Sequence, residues 1–151
     1  MMSIDLIELL RAFNANAVKY IIVGAYAFGV HAEPRATKGL DLFIRWDEGN
    51  IQAIFRALVQ CGAVLGVLTP GDFKDDTVIQ FGQRPARIDI MRDIDGIDFD
   101  EAWESRVEGL LDGDTPAHVI SREHLIQNKL AVGRHQDLAD AKKLRESAPE
   151  E

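Results

Sequence analysis

Two aspartates in strand-like segments are the residues of this sequence whose positions best suit chemistry. In segment 39–45 every second residue is leucine or isoleucine, so Asp41 lies on the face opposite an apolar row. Segment 86–91 repeats the pattern with Asp89. A carboxylate on a largely apolar strand needs a partner, because burying an unpaired charge is costly.

The two carboxylates would form a site if their strands were neighbours in one sheet. Asp41 and Asp89 would then project from the same face within a few ångströms of each other. Two carboxylates so placed repel, and they share a proton, pair with Arg or Lys, or bind a divalent cation. The residues leave a second interpretation open, in which one or both acids lie at a strand edge in solvent.

The elements around these acids predict a mixed architecture. Tyr20–Val23 is a short β-branched run that predicts a buried strand, and Gly24 closes it with a tight turn. A short helix is predicted over Ala25–His31, and Pro34 ends any helix before it. Further helices and strands are predicted at about 49–60, 77–81, 98–103, 107–111, 118–120, 121–130 and 134–145. We therefore expect an α/β (α+β) fold, a small mixed β-sheet flanked by helices.

Composition bounds the organisation of the chain. With 151 residues, 46% of them hydrophobic, the sequence predicts a single domain over 1–151, with a core at about 3–111 and a C-terminal helical part at about 121–146. No apolar run approaches the roughly 20 residues that span a bilayer, and the first residues lack the features of a signal peptide, so we expect a cytoplasmic protein without a membrane partner.

Charge and cysteine content exclude several classes of site. The net charge of −8 opposes broad, non-specific binding to nucleic acids, which requires a surplus of Lys and Arg. An acidic chain that handles polyanions is better served by a bound metal. Cys61 is the only cysteine, which excludes an internal disulfide and a cysteine-based zinc site.

These residues together carry a family resemblance. Gly24-Ala25 after a strand, then Arg35, Thr37, Gly39 and Asp41 around the next strand, and Asp89 on a later one, resemble the motifs of nucleotidyltransferases of the DNA polymerase β superfamily. Within that superfamily the chain is most similar to small bacterial proteins related to toxin–antitoxin and abortive-infection nucleotidyltransferases. The segment 118–144, with Lys129, is also similar to this group, so the resemblance covers most of the chain.

The resemblance implies roles for these positions. Asp41 and Asp89 would be catalytic residues and ligands of Mg²⁺ or Mn²⁺. The nucleotide, an NTP such as ATP, would contact Gly24, Ala25, Arg35, Thr37 and Lys129. From the residues alone, Lys129 is equally well interpreted as a helix lysine paired with a nearby acid.

Gly39 departs from the family pattern, because it occupies the position of the first metal-binding aspartate. Three explanations stay open at this point. The chain is a degenerate homologue that binds without catalysis, another acid such as Asp93 or Asp95 replaces the missing ligand, or the glycine is an introduced substitution. Asp93 and Asp95 otherwise belong to a predicted turn at 93–96.

The sequence thus predicts two functions in order of preference. The first is metal-dependent transfer of a nucleoside monophosphate from an NTP to a protein or RNA acceptor, impaired by Gly39. The alternative is a catalytically silent homologue that binds a nucleotide or a partner, such as a toxin–antitoxin mate or a second copy of the chain.

Overall fold

A computed structural model describes residues 6–35, 39–62, 78–81, 87–111 and 113–148. Within these ranges the chain forms six helices and six strands. The helices are α1 (Leu6–Ala15), α2 (Gly24–His31), α3 (Glu48–Gln60), α4 (Phe99–Glu104), α5 (Arg122–Val132) and α6 (His135–Glu146). The strands are β1 (Tyr20–Val23), β2 (Gly39–Ile44), β3 (Val78–Phe81), β4 (Arg87–Met91), β5 (Val107–Leu111) and β6 (Thr115–Val119).

The strands form one mixed sheet in the order β3-β4-β2-β1-β6-β5. The pairs β1–β6 and β2–β4 are parallel, whereas β1–β2, β3–β4 and β5–β6 are antiparallel. All four residues of β1 are buried, so helices cover both faces of the sheet at its centre. The predicted fold class, a mixed sheet flanked by helices, is confirmed.

Local sequence signals explain several element boundaries. Asp47 accepts a hydrogen bond from the backbone N–H of Asn50 and so begins α3, and Ser121 does the same for α5 through the N–H of His124. Gly133 ends α5 in the left-handed conformation, at a φ of +74°. The strand predicted at about 118–120 begins earlier than expected, since β6 starts at Thr115 and contains Pro116, a residue that argues against a strand.

No helix in the part of the chain that the structure describes is long and apolar enough to cross a membrane.

Asn50 ties the start of α3 to two neighbouring strands. Its amide Nδ2 donates to the carbonyl oxygens of Lys19 and Arg45 at 3.0 and 2.8 Å, and its Oδ1 accepts from the Lys19 N–H at 2.8 Å. These bonds satisfy backbone groups at the start of β1 and the end of β2. Because β2 carries Asp41, Asn50 contributes to the position of the candidate site.

We expect Asn50→Ala to lower the free energy of unfolding by roughly 1–3 kcal/mol, since it removes three hydrogen bonds to backbone groups. Urea unfolding would measure the change. Gln52→Ala, an exposed position on the same helix, is the control and should change stability by less than about 0.5 kcal/mol. Equal effects of the two substitutions would contradict the role given to Asn50.

Candidate active site

The parallel pairing of β2 with β4 places the two aspartates side by side. Asp41 lies directly opposite Asp89 in the register, and Gly39 lies opposite Arg87. The Asp89 side chain is 12% exposed, and Asp41 is half-buried. The sequence-based expectation that these carboxylates share one face of one sheet therefore agrees with the structure.

Gly24 closes the other side of the pair. It begins α2 at a φ of +71°, and a Cβ on this residue would collide with the carboxylate oxygen Oδ2 of Asp41. Only glycine fits both the conformation and the close approach. The cap residue of α2 is Val23, whose side chain accepts no hydrogen bond, so the first N–H groups of the helix have no side-chain cap.

The surroundings of Asp41 make its carboxyl harder to ionise. Burial raises the pKa of Asp41, and the charge of Asp89 and a hydrogen bond between the two side chains raise it further. The positive charges of Arg87 and Lys129 oppose this shift by lowering the pKa. A cation bound beside Asp41 would act in the same direction as Arg87 and Lys129, by stabilising its ionised form.

Arg87 is a site residue that the sequence-based reasoning did not single out. Its Nη2 donates to Oδ2 of Asp89 at 3.2 Å, and its Nε lies 3.1 Å from Oδ1 of the same carboxylate. The signal was present in the sequence, since residues two apart on a strand share a face. Arg87 thus supplies positive charge directly beside the carboxylate pair.

The predicted phosphate ligands Arg35 and Lys129 are held by a buried acid. Arg35 donates through Nη1 and Nη2 to both oxygens of Asp140, at 3.1 and 3.0 Å. The ammonium of Lys129 lies 3.1 Å from Asp140 and 3.6 Å from Asp137. Lys129 is thus paired with acids, as its second interpretation holds, although its side chain is only 15% exposed. Both cations keep further N–H donors that a phosphate can use.

Opposing effects set the ionisation of Asp140. Burial acts to raise its pKa, but hydrogen bonds from Arg35, Gln136 and Lys129 outweigh it and lower the pKa to about 2. Asp140 therefore stays ionised at neutral pH and fastens α6 to α5 and to the segment before β2.

The remaining predicted positions do not complete a three-acid site. Thr37 lies outside the described residues. Gly39 offers no ligand, and a Cβ there would lie 2.6 Å from the carbonyl carbon of Arg87 and closer still to its oxygen. Asp93 and Asp95 are exposed around a turn, where the carbonyl of Asp95 accepts from the Asn128 amide. In the described ranges, no group of three His, Cys, Asp or Glu side chains could hold a metal ion.

The pair nevertheless fits one divalent cation. Mg²⁺ and Mn²⁺ prefer oxygen ligands, and Mg²⁺ keeps several waters, so two carboxylates suffice to hold one ion. Within the described residues, the buried Oδ1 of Asp89 accepts no hydrogen bond, although the Arg87 Nε lies 3.1 Å from it, so a cation that displaced the guanidinium could use this oxygen as a ligand. Asp41 and Asp89 would hold this ion.

Solved structures identify the type of fold. No protein-family model and no curated protein matches the sequence. An antigenic nucleotidyltransferase-like protein from Paracoccidioides brasiliensis is 16% identical, with a TM-score of 0.56, over 93% of this chain and 72% of its own. The antibiotic-resistance factor ANT(2'')-Ia is 16% identical, with a TM-score of 0.59, over 93% of this chain and 80% of its own. The chain therefore has a nucleotidyltransferase-type fold.

We expect Asp140→Asn to destabilise the fold in a pH-dependent way. A pKa lowered from 3.8 to about 2 corresponds to about 2 kcal/mol of stability at neutral pH. Because the folded-state pKa is the lower one, this contribution is complete above about pH 5 and is lost as the pH falls toward 2.

Urea unfolding of wild type and of Asp140→Asn at several pH values would measure the difference in their free energies of unfolding. Asp114→Asn is the control, since Asp114 is an exposed acid 3.6 Å from Arg11 and should change stability little. If the difference in the free energy of unfolding between wild type and Asp140→Asn is as large at pH 2 as at pH 7, the lowered pKa of Asp140 is contradicted.

Proposed function

We propose that the chain is a metal-dependent nucleotidyltransferase that transfers a nucleoside monophosphate from an NTP, such as ATP, to a protein or RNA acceptor. The observation that carries the proposal is the side-by-side placement of Asp41 and Asp89 against Gly24 at the start of α2. This arrangement occurs within a nucleotidyltransferase-type fold.

Different residues would bind the triphosphate and the metal ion. The first N–H groups of α2 would donate hydrogen bonds to a triphosphate, and the missing Cβ of Gly24 lets the Asp41 carboxylate lie against this turn. Arg35 and Lys129, fixed in place by Asp140, supply positive charge beside it. A bound Mg²⁺ or Mn²⁺ would neutralise charge on the reacting phosphate and orient it. Asp89 would accept the proton of the attacking hydroxyl as its oxygen bonds to the α-phosphorus and pyrophosphate leaves.

A depression beside the site has room for the nucleoside. Its volume is about 360 Å³, which falls in the range of small-molecule pockets. It is lined by Ala25, Tyr26, Gly29, Val30, Pro34 and Arg35. Since Ala25 and Arg35 border both the depression and the proposed phosphate site, one nucleotide can span them.

A second candidate is a catalytically silent protein that binds a nucleotide or a partner, such as a toxin–antitoxin mate or a second copy of the chain. Gly39 favours it, because the position has no carboxylate and the Arg87 carbonyl fills the space that a Cβ would need. The two candidates differ in group transfer, and only the first requires nucleotide binding.

We expect Asp41→Asn and Asp89→Asn each to weaken the binding of Mg–ATP by about 10-fold or more, because each removes a cation ligand. Isothermal titration calorimetry would measure the affinities. Asp95→Asn, in the exposed turn, is the control and should bind like wild type. Failure of the wild-type protein to bind Mg–ATP at millimolar concentration would exclude the nucleotidyltransferase and leave a silent protein that binds a partner.

We expect Gly39→Asp to transfer label from radiolabelled NTP about 10-fold faster than Gly39→Ala. The Cβ of either substituted residue collides with the Arg87 carbonyl, so both variants should have a similarly lowered melting temperature. Only aspartate adds a cation ligand. Equal transfer by the two variants over a range of protein and RNA acceptors would show that position 39 does not limit the reaction, and would favour the silent protein.

A further inference from the structure

Four positions form a square on the site face of the sheet. The register pairs Gly39 with Arg87 and Asp41 with Asp89, and residues two apart on a strand share a face. Two corners are acids, one is an arginine, and the fourth has no side chain. A site built only to hold cations would not place an arginine at a corner, because like charges repel.

The guanidinium of Arg87 engages the atoms that a metal ion would need. Its Nη2 and Nε lie 3.2 and 3.1 Å from the two carboxylate oxygens of Asp89. The Asp89 side chain is 12% exposed, so its oxygens have limited access to any other partner. A divalent cation requires one of these oxygens at about 2.1 Å, where it would lie within a few ångströms of the guanidinium and be repelled by its positive charge.

We propose that Arg87 is a built-in counter-ion of the carboxylate pair that competes with a divalent cation for Asp89. This inference rests on the cation site of the proposed function, and it adds how occupancy of that site is controlled. A cation binds only when Arg87 leaves Asp89, so the chain binds Mg²⁺ or Mn²⁺ more weakly than its two carboxylates alone would.

Arg87→Gln tests the competition without nucleotide or activity. Titration of Mn²⁺, followed by the electron paramagnetic resonance of the free ion, should show about 10-fold tighter binding than in wild type. The gain should disappear in Arg87→Gln combined with Asp41→Asn. Unchanged or weaker binding by Arg87→Gln, or a gain that survives the second substitution, overturns the proposal.

Arg106→Gln is the matched control. Arg106 also pairs through Nε with an acid two residues along the chain, Glu108, at 2.9 Å, and its side chain is 29% exposed against 34% for Arg87. It lies at β5, at the far end of the sheet from β4. This variant should bind Mn²⁺ like wild type, and an equal gain in both variants counts against a specific role for Arg87.

A measurement on the wild-type chain covers the case in which Arg87→Gln fails to fold. During a Mg²⁺ titration, the Nε–H resonance of Arg87 should shift together with the backbone amides of Asp41 and Asp89, while that of Arg106 stays. Amide shifts that saturate without movement of the Arg87 resonance overturn the proposal. If the protein does not bind ATP, the proposed function fails, but the Mg²⁺ titration still tests the competition between Arg87 and the cation.

Discussion

The repulsion between two carboxylates at the same register of β2 and β4 is the constraint on which the site depends. Parallel pairing fixes Asp41 opposite Asp89, and the Gly24 turn closes over the Asp41 carboxylate. Solvent therefore cannot screen the pair fully, and the protein must supply positive charge or hold a proton there. Arg87 supplies that charge at the closest range, and Lys129 adds to it.

A second charged cluster supports the first. Asp140 is almost fully buried, yet Arg35, Lys129 and Gln136 give its carboxylate enough hydrogen bonds to keep it ionised. Removing one member of such a buried cluster leaves the others without partners, which costs more than an exposed ion pair contributes. The cluster thereby links the C-terminal helices to the segment that leads into β2, although the residues it joins are far apart in the sequence.

The sequence could predict what depends on local pattern. Alternation placed Asp41 and Asp89 on the polar faces of their strands, and capping residues located the starts of α3 and α5. The contact of Arg35 with Asp140 could not be predicted, because it joins residues 105 apart through the packing of α6. Arg87 was within reach of the same alternation rule, but a charged strand residue has many possible partners, and only the register shows that it lies beside both acids.

Position 39 connects the backbone to the charge balance of the site. Gly39 has a φ of +158°, and its missing side chain lets the Arg87 carbonyl lie where a Cβ would stand. An aspartate would therefore require the start of β2 to shift relative to β4, in addition to adding a third negative charge beside Asp41. With glycine there, two acids face one arginine, and the square carries a formal charge of about −1 before any cation binds. Gly39 and Arg87 thus have the same effect, since both reduce the negative charge on this face that would attract a metal ion.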